Sequence, residues 1–253
     1  MKQIDLNSDM GELPELLADG TQDRIMEVVS SVNISCGAHA GDDATITATL
    51  AAAKSRGLAV GAHPGYPDRA NFGRKALPLP EAALAESIFK QLHHLAGLAK
   101  ASGVELVHVK PHGALYHEVS KGGAIANAFL EAVARFSRDL VIVAFAGSHG
   151  LHLAASRGFQ TAAEAFMDRA YEPDCTLRGR GLPGALLAPD IALAQALQIV
   201  QHGQVTTAAG TILTLHAQTL CVHSDTPGSA TAATNVAAGL RAAGVTVAPR
   251  ANR

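Results

Sequence analysis

The stretch VHVKPHGALY, residues 107–116, joins the end of an apolar strand to a cluster of ionisable side chains. Its apolar beginning predicts a buried strand. His108, Lys110 and His112 alternate along the stretch, so an extended backbone places them on one face. Pro111 favours extended geometry at the residue before it and ends ladder pairing. We therefore predict that a cation and two imidazoles lie at a strand end, and that Lys110 and His112 are functional.

Strands and helices are predicted to alternate along the chain, which favours a parallel sheet. The strands are predicted at 4–9, 32–36, 58–62, 104–109, 140–146, 159–166 and 219–223, the helices at 21–31, 43–56, 80–102, 122–137, 148–157, 189–201 and 228–243, and a small hairpin at 210–216. At least six of these strands end in polar clusters. An open sheet gathers ligands at one switch point, whereas a barrel directs every strand end at one mouth. We therefore predict an α/β fold, an irregular (β/α) barrel of seven strands in a single domain over residues 1–253.

The composition limits the classes of function that need to be considered. The 253 residues are 48% hydrophobic and carry a net charge of −2 without a basic run, so nucleic acid and anionic membranes are not expected partners. Three cysteines without C-x-x-C spacing indicate reduced thiols and a cytoplasmic protein. A predicted strand begins by Ile4, so we expect no signal peptide, and no apolar run reaches the roughly 18 residues of a membrane helix.

Acidic and amide side chains alternate along the first predicted strand. Asp5, Asn7 and Asp9 share one face, and Glu12 follows shortly after. Such a set is suited to a general base or to metal ligation. The alternative is a structural role in capping and in hydrogen bonding at the bottom of the barrel.

Histidines follow the second, third and fourth predicted strands. His39, His63 and His112, together with Asp9 or Asp42, are candidate ligands of zinc or of a hard divalent metal. We name Asp9, His39 and His63 as the metal candidates, although no H-x-x-x-H or C-x-x-C spacing supports them.

The sequence lacks one common nucleotide-binding motif and one common hydrolase motif. It contains no G-x-x-x-x-G-K-[ST] phosphate loop and no G-x-S-x-G nucleophile turn. A loop of roughly 18 residues follows the sixth predicted strand, and a loop of that length inside a compact domain is usually functional. Asp168 and Arg169 at its start are expected either to form a structural ion pair or to reach the site.

Six segments together resemble the LamB/YcsF family. They are DLNSDMGE (5–12), NISCGAHAGD (33–42), GAHPGYPDRANFGRK (61–75), VKPHGALYH (109–117), EAFMDRAYEPDCTLRGR (164–180) and CVHSDTPG (221–228). The resemblance implies a barrel related to the glycoside hydrolase/deacetylase superfamily. It also implies a hydrolase that serves as the A component of an ATP-dependent 5-oxoprolinase, with ATP as cosubstrate and subunits B and C as partners. The reaction implied is opening of the 5-oxo-L-proline lactam to L-glutamate. Cys175 and Ser224 depart from the family pattern, which tends to have Gly at both positions.

That chemistry needs cations for phosphate, a base for water and donors for a developing oxyanion. We expect the ammonium of Lys110 to lie at the barrel mouth rather than in the packed core. The candidate catalytic residues are Asp9, His63, Lys110, His112 and Asp225. The candidate substrate-binding residues are Asn7, Asn33, His39, Asp42, Tyr66, Arg74, Arg169 and His223. Two alternatives stay open: a stand-alone metal-dependent deacetylase or amidase, and a non-catalytic regulator that binds a small acid and a partner protein.

Overall fold

The computed structural model describes residues 2–225 and 228–249, and in them a closed parallel barrel lies inside a layer of helices. The strands are β1 (Gln3–Met10), β2 (Ser31–Ser35), β3 (Ala59–His63), β4 (Leu106–Val109), β5 (Val141–Phe145), β6 (Thr161–Phe166), β7 (Gln204–Thr206), β8 (Ile212–Thr214), β9 (Thr219–Val222) and β10 (Thr246–Val247). β1 to β6 pair in sequence order, and β9 closes the barrel between β6 and β1. The predicted seven-stranded α/β barrel is thus confirmed.

The helices form the outer layer of the molecule. They are α1 (Pro14–Ala18), α2 (Thr21–Met26), α3 (Asp43–Ser55), α4 (Glu81–Ala101), α5 (Gly113–Lys121), α6 (Gly123–Phe136), α7 (His149–Ser156), α8 (Pro189–His202) and α9 (Ser229–Ala242). α4 shows why they pack outside the barrel: its buried Leu84, Ile88, Leu92 and Leu95 recur at helical spacing along one side. Burying each such side chain stabilises the fold by about 1.5–3 kcal/mol.

The barrel strands begin and end within two residues of the predicted positions. Two helices were not predicted, α1 and α5, and the helix predicted at 21–31 is wrong beyond Met26. Tertiary contacts explain this shorter α2, because the hydroxyl of Ser30 donates to Asp5 and accepts from the backbone N–H of Leu6. These bonds turn the chain out of the helix and into β2.

Polar side chains fill the inside of the barrel. Asp5 accepts hydrogen bonds from three hydroxyls at the base, and Asn7 above it donates to Glu164 at 3.0 Å. Asn33 donates to Asp9 at 2.8 Å and accepts from His108 at 2.8 Å. A column of paired polar groups therefore leads from the base toward the C-terminal ends of the strands.

Gly61 in β3 makes room for one member of this column. A Cβ atom at Gly61 would lie 2.1 Å from the ring of His108, far inside contact distance. Since His108 pairs with Gly61 across the β3–β4 ladder, a side chain at that position would push the imidazole away from Asn33. Only glycine fits there without moving the ring.

The segment between β6 and α8 forms a long loop with isolated bridges at Arg169–Leu186 and Tyr171–Leu177. Within it Cys175 has φ of 67°, a left-handed conformation that favours glycine. This conformation explains why the family pattern tends to have Gly at the position that Cys175 occupies here. Thr226 and Pro227 of the sixth family segment lie outside the described residues. No helix in the described ranges has the length and apolar character needed to cross a membrane.

Candidate active site

A cavity of about 280 Å³ opens at the C-terminal ends of the barrel strands. Eight of the thirteen candidate residues line it. They are Asp9, His63, Arg74, Lys110, His112, Arg169, His223 and Asp225. The parallel strands bring these residues together because each strand ends at the same rim of the barrel.

Five candidates do not line the cavity. Asn7 and Asn33 lie deeper in the barrel, within the polar column. Asp42 caps the N-terminus of α3 by accepting from the backbone N–H of Thr45. Tyr66 is buried in the hydrophobic core, and His39 stands behind the cavity wall.

Lys110 directly follows β4 and lies at the floor of the cavity. Its Nζ donates to Glu164 Oε1 at 2.8 Å and to Asp9 Oδ1 at 3.0 Å, and its side chain is only 2% exposed. Burial alone would lower the pKa of Lys110, but the charges of Asp9 and Glu164 outweigh it and raise the pKa well above its ordinary value. Lys110 thus lines the cavity at the barrel mouth, but as a buried cation held by two carboxylates rather than as an open ammonium.

Asp9 is the carboxylate that joins the two halves of the floor. Its Oδ1 faces Lys110, and its Oδ2 lies 3.3 Å from His63 Nε2. Burial alone would raise the pKa of Asp9, but His63 and Lys110 outweigh it and hold the pKa well below its usual value. Asp9 is consequently ionised at neutral pH while still facing the cavity.

Two histidines and Glu12 form a second cluster beside Asp9. His112 Nδ1 lies 3.1 Å from His63 Nε2 and 3.1 Å from Glu12 Oε1. His63 Nε2 lies 3.9 Å from the same carboxylate oxygen. The three side chains are buried, and their ligand atoms are close enough to hold a metal ion.

His39 supports this cluster from behind. Its Nε2 lies 3.0 Å from Glu12 Oε1, and its ring stacks on that of His112 with centroids 3.8 Å apart. Burial lowers the pKa of His39 to about 4, so its imidazole is neutral and donates to the carboxylate. His39 thereby orients Glu12 without facing the cavity.

The rim of the cavity is rich in arginine. Asp225 is paired with Arg74 and, at 3.4 Å, with Arg180. Arg169 is 5% exposed and donates through Nη2 to the backbone carbonyl of Arg178. Its Nε is buried and has no hydrogen-bond partner among the described residues. The side chain of Arg169 lines the cavity, although this Nε is itself buried.

Asp168 and Arg169 do not pair with each other, so the expected structural ion pair is replaced by another. The carboxylate of Asp168 lies 2.9 Å from Nδ1 of His223, whose ring stacks on Phe166. His223 is therefore held by β6 and its following loop, although it belongs to the end of β9.

Three residues of the site were not named as candidates from the sequence: Tyr116 and Arg180 line the cavity, and Glu164 binds Lys110 from below. Glu12, named only as part of the acidic set of the first strand, also lines the cavity. Glu164 shares its strand face with Asp168, and that alternation was the available signal. Glu12 is out of step with Asp5, Asn7 and Asp9, and it reaches the cluster only because Gly11, with φ of 73°, turns the chain.

Comparison with known sequences identifies the family. The sequence profile described as the LamB/YcsF family matches residues 4–253. The chain belongs to the LamB/YcsF family. It is 45% identical over 248 residues to a protein of Chloroflexus aurantiacus that is named as the A subunit of 5-oxoprolinase, with 98% of each chain covered.

Solved structures agree with this assignment. A lactam utilization protein from Thermus thermophilus superposes with a TM-score of 0.90 at 36% identity, covering 97% of this chain and 99% of that one. A family 4 carbohydrate esterase from Streptomyces lividans superposes with a TM-score of 0.55 at 11% identity, covering 99% of this chain and 94% of the esterase. The second likeness is one of fold alone.

Proposed function

We propose that this chain is the A component of an ATP-dependent 5-oxoprolinase and takes part in opening the 5-oxo-L-proline lactam to L-glutamate. The observation that carries the proposal is a small cavity whose floor holds a buried cation, Lys110, beside an ionised carboxylate, Asp9. The proposal is also supported by the Chloroflexus aurantiacus relative. That protein is named as a 5-oxoprolinase component, and the match covers 98% of both chains. The likeness to a carbohydrate esterase at 11% identity does not favour a stand-alone deacetylase.

The size and charge of the cavity suit a small anionic lactam. About 280 Å³ lies at the lower end of ligand pockets, which accommodates a five-membered ring with one carboxylate. A lactam carbonyl is a poor electrophile, and cleavage of ATP supplies the driving force when its oxygen is phosphorylated. ATP leaves as ADP in that step. Water then attacks the activated carbon and the ring C–N bond breaks, which gives the amine and an acyl phosphate. A second water molecule hydrolyses the acyl phosphate to phosphate and the side-chain carboxyl of glutamate.

Asp9 and Lys110 are assigned the central roles in this step. Asp9 is ionised and faces the cavity, so it orients the attacking water and accepts its proton. Lys110 stabilises the negative charge that develops on the substrate oxygen or on the departing phosphate. Its contacts with Asp9 and Glu164 fix the ammonium in place before the substrate binds.

The nucleotide is assigned to the partner subunits. The sequence has no phosphate loop, and the cavity is too small for a nucleoside triphosphate together with the lactam. We infer that subunits B and C bind ATP and that this chain receives the activated lactam. The cytoplasm supplies ATP, and the three free cysteines fit its reducing conditions.

Reconstitution tests this proposal directly. The isolated chain is expected to release no glutamate from 5-oxo-L-proline and ATP, because its sequence carries no phosphate loop and the nucleotide is assigned to the partner subunits. Co-expression with subunits B and C from the same genome is expected to give equal amounts of glutamate and ADP. ATP-coupled turnover by this chain alone, or none by the full complex, would contradict the division of roles.

Arg169 is expected to bind the substrate carboxylate. The guanidinium side chain lines the cavity and can donate a charge-assisted hydrogen bond, worth about 1.5–3 kcal/mol, so Arg169→Lys should raise the KM of the complex for 5-oxo-L-proline by about 10- to 150-fold. Arg178→Lys is the matched control, because Arg178 belongs to the same loop but pairs with Glu172 and does not line the cavity. Equal KM values for the two variants would remove Arg169 from substrate binding.

A further inference from the structure

Histidine orientations in the second cluster leave two nitrogen lone pairs facing each other. Nδ1 of His63 lies 2.7 Å from the backbone carbonyl of Lys110, and Nε2 of His112 lies 2.8 Å from that of Phe72. A carbonyl oxygen only accepts, so each of these nitrogens carries the ring proton and donates. The other nitrogens, His63 Nε2 and His112 Nδ1, are then unprotonated in the neutral rings and lie 3.1 Å apart.

Carboxylate oxygens surround the same point. Glu12 Oε1 lies 3.1 Å from His112 Nδ1, and Asp9 Oδ2 lies 3.3 Å from His63 Nε2. Glu12 Oε1 also accepts from His39 Nε2, so the three atoms that still need an added proton or cation are His63 Nε2, His112 Nδ1 and Asp9 Oδ2. One proton on one ring forms a hydrogen bond with one neighbouring acceptor and leaves the remaining acceptors facing each other. One divalent ion can bind His63 Nε2, His112 Nδ1 and Glu12 Oε1 at once.

We propose that Glu12, His63 and His112 bind a divalent transition metal, zinc by preference, at the edge of the cavity. Ligands about 2.0–2.1 Å from a tetrahedral ion lie about 3.3–3.4 Å from one another. The observed ligand separations of 3.1, 3.1 and 3.9 Å bracket that value. Two imidazoles and one carboxylate suit zinc better than magnesium or calcium, which prefer oxygen ligands.

The surroundings have the features of a prepared metal site. Both imidazoles are oriented through their second nitrogen by backbone carbonyls, and Glu12 is oriented by His39. All three ligands line the cavity, which provides an entry path for the ion. Of the candidate ligands named from the sequence, His63 and His112 are ligands in this arrangement, whereas Asp9, His39 and Asp42 are not. Zinc bound there would lower the pKa of a water molecule to about 7, which suits a weak base such as Asp9.

Metal binding is measured on the full chain without substrate or partners. After chelator treatment, titration calorimetry and elemental analysis with zinc alone are expected to give one equivalent per chain and a raised thermal midpoint. Glu12→Gln and His112→Asn should bind less than about 0.1 equivalent under the same conditions. His94→Asn, which alters an exposed histidine paired with Asp43, should bind like the unaltered chain.

A second variant keeps the test decisive if a ligand variant fails to fold. His39→Asn removes the donor that orients Glu12 and should weaken zinc binding by about 10- to 100-fold while the ligands stay in place. Substoichiometric zinc in the unaltered chain, or equal binding in the folded ligand variants, overturns the metal site.

The metal proposal concerns the site of the proposed function, yet the two fail separately. A chelated complex that still releases glutamate at the full rate, with no zinc on the isolated chain, would refute the metal and leave the 5-oxoprolinase role intact. One tight zinc per chain in a complex that never opens the lactam would refute the 5-oxoprolinase role and leave the metal site intact.

Discussion

Replacement of Lys110 by Met is expected to abolish turnover and also to lower the free energy of unfolding by about 3–5 kcal/mol. Met keeps the length of the side chain, so the loss of packing alone would be on the order of 1 kcal/mol. The larger cost arises because Asp9 and Glu164 are left as buried carboxylates without their shared cation. Thermal unfolding of the chain and glutamate release by the reconstituted complex measure the two effects.

A double variant separates the structural and catalytic parts of the Lys110 effect. In Lys110→Met/Glu164→Gln the carboxylate below Lys110 is removed together with the cation, and Asp9 keeps its contact with His63. We expect this variant to recover part of the lost stability without recovering turnover, since no cation remains at the cavity floor. Restored turnover in the double variant would show that Lys110 acts only on folding.

Replacement of Asp9 by Asn is expected to reduce kcat of the complex by about 10²- to 10⁴-fold, the usual contribution of a general base. The amide keeps the shape of the side chain but cannot accept a proton from water. KM should change far less than kcat, because the role assigned to Asp9 is in the reaction step rather than in substrate binding. Steady-state kinetics of the reconstituted complex give both constants.

Asp5→Asn is the matched control for the Asp9 variant. Asp5 lies on the same strand and the same face, but at the base of the barrel, where its carboxylate accepts from Ser30, Ser31 and Thr219. Asp5 does not line the cavity, so Asp5→Asn changes a carboxylate of the same strand without touching the groups that face the substrate. If Asp5→Asn and Asp9→Asn both kept a near-normal kcat, Asp9 would be excluded as the base.

The sequence by itself determined the architecture and the end of the barrel that carries the chemistry. Strand periodicity places Asp5, Asn7 and Asp9 on one face, and alternation of strands with helices implies parallel strands whose C-terminal ends meet. Those two regularities are local, since each depends on residues a few positions apart. Together with the charges of the side chains and the family resemblance, they led to eight of the residues around the cavity.

Only the tertiary structure decided which of these groups face each other and in what state. Lys110 is a buried cation because β1 and β6 bring Asp9 and Glu164 to it from positions far away in the chain. The facing nitrogens of His63 and His112 depend on the carbonyls of Lys110 and Phe72 that hold the rings. Such contacts depend on strand register and loop path, and a shift of one residue would reverse the face of each side chain. Periodicity identifies the face on which a residue lies, whereas the closed barrel determines its partners and thereby its charge.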